Sequence, residues 1–199
     1  MTILVALKDK KNNRIIIGTD KQVTTGSVKE LIHNKIVTVN IPVVDGYGEK
    51  IRTDKCHIAI AGYAYINNFI EYAFNAPPMD NNMIFIEYLQ KKFLKKLREE
   101  LTNQNLAEVN SNQFDSESGF LIVYDDEIFV IDFNFGVCTI NDEYSVNGSG
   151  FEIALGSLYT TKKVKPSIGA VKRVKLAVKS AIEYDVYCGG EVDIKIINY

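Results

Sequence analysis

Thr2 is the residue with the most chemistry to offer. Methionine aminopeptidase generally removes Met1 ahead of a small residue, which would leave Thr2 with a hydroxyl and a free α-amine on one residue. A Thr hydroxyl is a weak nucleophile until a base takes its proton, and an α-amine of pKa about 7.7–8.0 is a suitable base near neutral pH. Taken by itself, a second-position Thr is equally compatible with the plain start of a strand. The other reactive residue types offer less. His33 and His57 have no acidic cluster near them in sequence, so they make a poor metal site or general base. Lys91, Lys92, Lys95, Lys96 and Arg98 lie opposite an apolar stripe and precede Glu99 and Glu100, the pattern of a solvated helix face rather than a nucleic-acid surface. Cys56, Cys138 and Cys188 are odd in number, widely spaced and outside any CxxC pair, which suggests neither a disulfide framework nor zinc and fits a reducing cytoplasm.

Thr2 gains weight from its companions. Downstream stand Gly18-Thr19-Asp20-Lys21-Gln22-Val23-Thr24-Thr25-Gly26, then Lys35, Ile60-Ala61-Gly62, Asn147-Gly148-Ser149-Gly150 and Asp185-Val186-Tyr187-Cys188-Gly189-Gly190. In order and spacing these segments resemble the proteasome β-subunit family and its HslV-type relatives, within the N-terminal-nucleophile (Ntn) hydrolases. The family carries an N-terminal Thr before a strand, a G-x-D-x-x-x-T turn, a Lys, an A-G, a G-S-G and a D-x-x-S-G. The resemblance runs from Thr2 to Val192.

The resemblance implies a single domain spanning residues 1–199 with a four-layer αββα sandwich, an α+β fold. It also implies a threonine-type endopeptidase acting on unfolded polypeptides. In it Thr2 is the nucleophile, Asp20 the carboxylate that orients Lys35, and Lys35 the cation that favours the developing alkoxide. Gly62 presents a backbone N–H to the oxyanion, and Ser149 and Asp185 support the Thr2 amine. Val23, His33, Val37, Ile60 and Ala64 match positions lining the primary side-chain pocket, which implies an apolar residue before the scissile bond. A homo-oligomeric ring and an ATP-driven unfoldase follow as partners, with no cofactor or metal. Two alternatives stay open: a ring-forming subunit without turnover, and an Ntn amidohydrolase acting on a small amide.

The sequence also departs from the family pattern. Thr2 and Asp20 are 18 positions apart, so the first hairpin is long for the family, and the 27 positions from Lys35 to Gly62 imply an insertion around Ile41 to Asp54. Cys188 stands where D-x-x-S-G has Ser, and a thiol makes a weaker hydrogen bond than a hydroxyl. A register with Met1 at the nucleophile position also gives an apolar first strand. The Thr2 register is preferred because Val5 and Leu7 then continue the core face.

The elements that must position these residues are legible as patterns. Ile3–Leu7 and Ile15–Gly18 read as a hairpin around Asn12-Asn13, and residues 35–39 and 57–61 as strands separated by a loop or small hairpin. Phe85, Leu89, Phe93, Leu97 and Leu101 recur every fourth residue, which predicts a helix from Met83, and a shorter helix over 66–74 ends before Pro77-Pro78. Residues 120–124 and 128–133 flank Asp125-Asp126-Glu127 as a further hairpin, and 137–140 continues the sheet. Helices over 151–159 and 168–184 precede a closing strand at 192–197. That order places helices outside two stacked antiparallel sheets. The 46% apolar content, with 11 Tyr and 10 Phe, supports a large core. The 23 basic and 25 acidic side chains nearly cancel, so no global field favours nucleic acid or an anionic membrane. The start of the chain lacks the basic and long apolar regions of a signal peptide, and no run approaches the roughly 20 apolar residues of a membrane helix.

Overall fold

The computed structural model describes every residue except Met1, Gly26, Ser27, His33, Ser111, Asn112 and Glu117. Its elements in chain order begin with β1 (Ile3–Asp9), β2 (Arg14–Thr19), β3 (Gln22–Thr25), β4 (Val28–Leu31), β5 (Ile36–Val44), β6 (Lys50–Ala61), α1 (Ala64–Tyr72), β7 (Met79–Asp80) and α2 (Phe85–Tyr88). They continue with α3 (Leu94–Asn103), β8 (Glu108–Asn110), β9 (Gln113–Asp115), β10 (Gly119–Tyr124), β11 (Glu127–Ile131), β12 (Val137–Thr139), β13 (Tyr144–Gly148), α4 (Phe151–Val164), α5 (Ala170–Tyr184) and β14 (Asp193–Asn198). One sheet has the order β13-β1-β2-β14 and the other β12-β11-β10-β6-β5-β7, with small separate hairpins β3-β4 and β8-β9.

Alternation along the strands decides the layering. Leu4, Ala6, Ile15 and Ile17 from the first sheet meet Ile36, Ala59, Leu121 and Val123 from the second, forming a core between the sheets. The opposite faces carry Ile3, Val5 and Leu7 against α4 and α5, and Val37, Val39, Ile41 and Val43 against the helices between α1 and α3. The result is the expected αββα stack. The predicted long helix is present as α2 and α3 joined by a π turn at Leu89–Phe93, with Phe85, Leu89, Phe93, Leu97 and Leu101 all buried. Its basic face is exposed and paired, Lys91 with Glu87 and Lys92 with Asp80. No helix among the described residues is long and apolar enough to cross a membrane.

The segment read as an insertion is regular structure. β5 and β6 extend through Ile41–Val44 and Lys50–Asp54 and close around a turn at Asp45, whose Oδ1 accepts from Tyr47 N–H at 2.9 Å and Glu49 N–H at 3.0 Å. Pro42 pairs with Thr53 near the rim, where β7 joins only at Val43 and Val44. β13, β3-β4 and β8-β9 carry no strong alternation and stand outside the sequence expectation.

Candidate active site

The register of the first sheet builds the site. Leu4 pairs with Thr19 and Ile3 with Gly148, so the residues just beyond those strand ends, Thr2, Asp20 and Ser149, converge at one end of the sheet. Gly148 permits the closeness. Its φ of 100° lies in the region that favours glycine, and a Cβ there would collide with the Thr2 carbonyl oxygen. Lys35 arrives from the second sheet, just before β5, where its carbonyl accepts from Ile60 N–H at 3.2 Å.

Thr2, Asp20 and Lys35 are 2%, 0% and 5% exposed. Thr2 Oγ1 donates to Asp20 Oδ1, and Lys35 Nζ donates to Thr2 Oγ1. Lys35 Nζ also donates to Asp20 Oδ1 at 2.9 Å and to the Gln22 carbonyl at 2.5 Å. Backbone donors fix the carboxylate. Ile3 N–H reaches Oδ1 at 3.2 Å, and Gln22 and Gly189 N–H reach Oδ2 at 3.1 and 2.9 Å. Such charge-assisted bonds offset part of the cost of burying an ion pair. Burial pulls the Lys35 ammonium below its ordinary pKa, against the neighbouring Asp20 charge that supports it.

The other side of Thr2 is looser. Ser149 Oγ donates to the Thr2 carbonyl at 3.3 Å and lies 3.9 Å from Cys188 Sγ, which donates to Asp185 Oδ2 at 3.2 Å. Burial, together with the Asp20 and Asp185 charges, pushes the Cys188 thiol up to about 12. For Asp185 burial opposes ionisation, but bonds from Ser149, Tyr187 N–H and Cys188 outweigh it and hold the carboxyl below its ordinary range.

Gly62 follows β6 with a φ of 144° and, like Thr2, borders two cavities. The larger, about 620 Å³, extends past Ser118, Phe133, Asn147 and Ser149. The smaller, about 10 Å³, is bounded by Val23, Ile32, Ile60, Ala64 and Asn67. Of the residues expected to line a side-chain pocket, Val23, Ile60 and Ala64 are there, and His33 lies outside the described residues. Val37 is elsewhere. It is buried in the core between the second sheet and the helices, because its β5 alternation shares a face with Val39 and Ile41. His57 is half-buried on β6, 3.1 Å from Thr38 Oγ1, with its pKa lowered to about 4 by burial and then by Lys195 and Lys55. Among the described residues, no group of three or more His, Cys, Asp or Glu is placed to hold a metal ion.

Sequence reasoning missed four residues that shape the site. Gln22 supplies a carbonyl to Lys35 and an amide to Val186 O at 3.1 Å, Gly189 supplies an N–H to Asp20, Gly148 allows the Thr2 approach, and Asn67 bounds the small cavity. Gln22 and the two glycines lay inside the quoted motifs. Asn67 carried one signal, a polar residue three positions after Ala64 on a helix whose buried face also holds Ile66 and Ile70.

No family model matches the sequence, and no curated protein does. Solved structures do match. BPH of Thiobacillus denitrificans in complex with Epoxomicin superposes with a TM-score of 0.74 at 20% identity, covering 98% of each chain. Another structure of Thiobacillus denitrificans BPH gives 0.72 at 22% identity over 100% of this chain and 98% of that one. Eukaryotic HslV from Trypanosoma brucei gives 0.60 at 17% identity over 99% of each. The chain has the HslV-like, proteasome-type fold that its motifs implied.

Proposed function

We propose that the chain is a threonine-type endopeptidase of the proteasome β-subunit and HslV family, active once Met1 is gone. The observation that carries this reading is Lys35 Nζ donating at once to Thr2 Oγ1 and Asp20 Oδ1, all three residues being almost wholly buried. The Thr2 oxygen attacks the carbonyl carbon of a peptide bond while its proton passes to the Thr2 α-amine, and the Lys35 ammonium favours the developing alkoxide. The oxyanion faces the Gly62 backbone, where a preorganised N–H is most effective. The C–N bond then breaks as the α-amine returns the proton to the leaving nitrogen, leaving an ester on Thr2. Water attacks that ester, its proton goes to the amine, and release of the acid restores the hydroxyl. Ser149 and Asp185 hold the amine in place.

The same reading makes the chain one subunit of a closed homo-oligomeric ring served by an ATP-driven unfoldase. Phe151, Leu155 and Tyr159 support a ring, since they form an exposed apolar stripe at fourth-residue spacing on the outer helix α4. Intact-mass measurement, peptidase assay and sedimentation test the proposal together. Protein lacking Met1 should cleave fluorogenic peptides and sediment as a ring, and an electrophile that requires an N-terminal Thr should label it. Thr2→Ala and Met1-retaining protein should stay unlabelled, because an acylated nitrogen cannot serve as the base. Full activity with Met1 in place, or a strict monomer at micromolar concentration, overturns it.

A further inference from the structure

The small cavity beside Thr2, walled by Val23, Ile32, Ile60 and Ala64 on its apolar side and by Gln22, Lys35 and Tyr63 besides, has one feature that these walls do not explain. Asn67 borders it from α1, 4% exposed, and donates its amide nitrogen to the Asn34 carbonyl at 3.0 Å. Its Oδ1 is buried with no hydrogen-bond partner among the described residues. The amide cannot be turned around, since a carbonyl only accepts and so holds the nitrogen toward Asn34. Asn67 therefore has an acceptor, not a donor, left to offer. Buried acceptors are nearly always satisfied in folded proteins, and an exception asks for an explanation.

Size limits what can satisfy it. About 10 Å³ holds at most about one water-sized group, while Val23, Ile60 and Ala64 supply apolar contact for a Cβ. Thr2 and Gly62 lie between this cavity and the 620 Å³ cleft, so a chain acylating Thr2 has the cleft for its length and the small cavity for one side chain. We infer that this pocket selects a small residue with a hydrogen-bond donor, serine above all, immediately before the scissile bond. A serine hydroxymethyl adds to alanine the one polar atom that Asn67 Oδ1 can accept from. Leucine adds three carbons that the cavity lacks room for and leaves the oxygen unpaired. The inference rests on the peptidase reading of the same site and departs from the apolar preference that the sequence implied.

The test uses Met1-free protein and fluorogenic peptides identical except for Ser, Ala or Leu before the leaving group. kcat/KM should favour Ser over Ala by about tenfold, the worth of one good neutral hydrogen bond, and Ser over Leu by at least about a hundredfold. Asn67→Leu should bring the Ser-to-Ala ratio to about one, and Asn67→Ala, which enlarges the pocket, should move the preference toward Leu. Each readout is a ratio within one variant, so a general loss of activity does not imitate it, and the second variant serves if the first does not fold. A Leu peptide cleaved faster than its Ser counterpart, or a Ser preference that survives both Asn67 variants, overturns the inference and leaves the peptidase reading standing. No cleavage of any peptide by Met1-free protein overturns both.

Discussion

On its hydroxyl side Thr2 meets Asp20 and Lys35, both almost wholly buried and tied to Ile3, Gln22 and Gly189 by backbone bonds of 2.5–3.2 Å. On its carbonyl side it meets Ser149 at 3.3 Å, with the Cys188 thiol a further 3.9 Å on and Asp185 nearer the surface. The first side has more bonds than it needs to fix its geometry, and the second has barely enough. Groups that must bear charge in a dry site have to be held by many donors, since an unpaired buried charge is expensive. On the peptidase reading the groups on the second side only steer an amine and tolerate weaker bonds, and that is where Cys188 stands in place of the Ser of the D-x-x-S-G pattern.

If that contrast is right, Lys35→Ala has the largest effect. Turnover should fall by at least about a thousandfold, and the buried Asp20 charge left behind should cost about 3 kcal/mol of stability, read by urea unfolding. Retained activity would show that the tight side is structural only. Gly148→Ala comes next, because its Cβ would push Thr2 aside, and a displacement of about 1 Å costs about a hundredfold in kcat. Unchanged kcat would mean that the loose side has room to yield. Cys188→Ser should raise kcat/KM only about fivefold, the worth of a better hydrogen bond to the network around Ser149. In the unsubstituted protein at pH 8, iodoacetamide should modify exposed Cys138 and spare Cys56 and Cys188, because both are buried and Cys188 keeps its proton.

The smallest effect belongs to neither side and separates stability from catalysis. His57 titrates near 4 when folded and near 6.5 when unfolded, so below pH 6.5 the unfolded chain takes up a proton that the folded one refuses. Its contribution is whole above about pH 6.5 and is lost as the pH falls toward 4. For a half-exposed ring this amounts to on the order of 1 kcal/mol. His57→Gln should flatten that part of the stability profile and leave the activity profile, governed by the Thr2 amine, where it was.

The tight side was legible in the sequence because its chemistry is specified by residue type: a Thr, an Asp in a glycine-bounded turn and a Lys at set spacings. The fold was legible where periodicity was strong, as in the 85–103 helix and the strands around Asn12-Asn13 and Asp125-Asp126. Elsewhere tertiary pairing decided. Tyr144–Gly148 becomes a strand because β1 pairs with it, and Ile41–Asp54 becomes the arms of a hairpin despite Pro42 and Gly46. Val37 was misplaced because motif position says which strand a residue is on, while the pleat decides which face it takes. Asn67 was out of reach for a related reason: an unsatisfied atom is a property of three-dimensional neighbours.

Asp20 binds Ile3, Gln22 and Gly189 together, and the last of these lies 169 positions further along the chain. That distance sets a schedule for biosynthesis. Thr2 leaves the ribosome among the first residues, yet the carboxylate beside it is not fully held until Gly189 has emerged and docked. Because such units fold together, the nascent chain carries Thr2 without the Asp20 and Lys35 contacts that the folded site gives it. On the peptidase reading, the Thr2 hydroxyl therefore stays unactivated for nearly the whole of the chain's own translation.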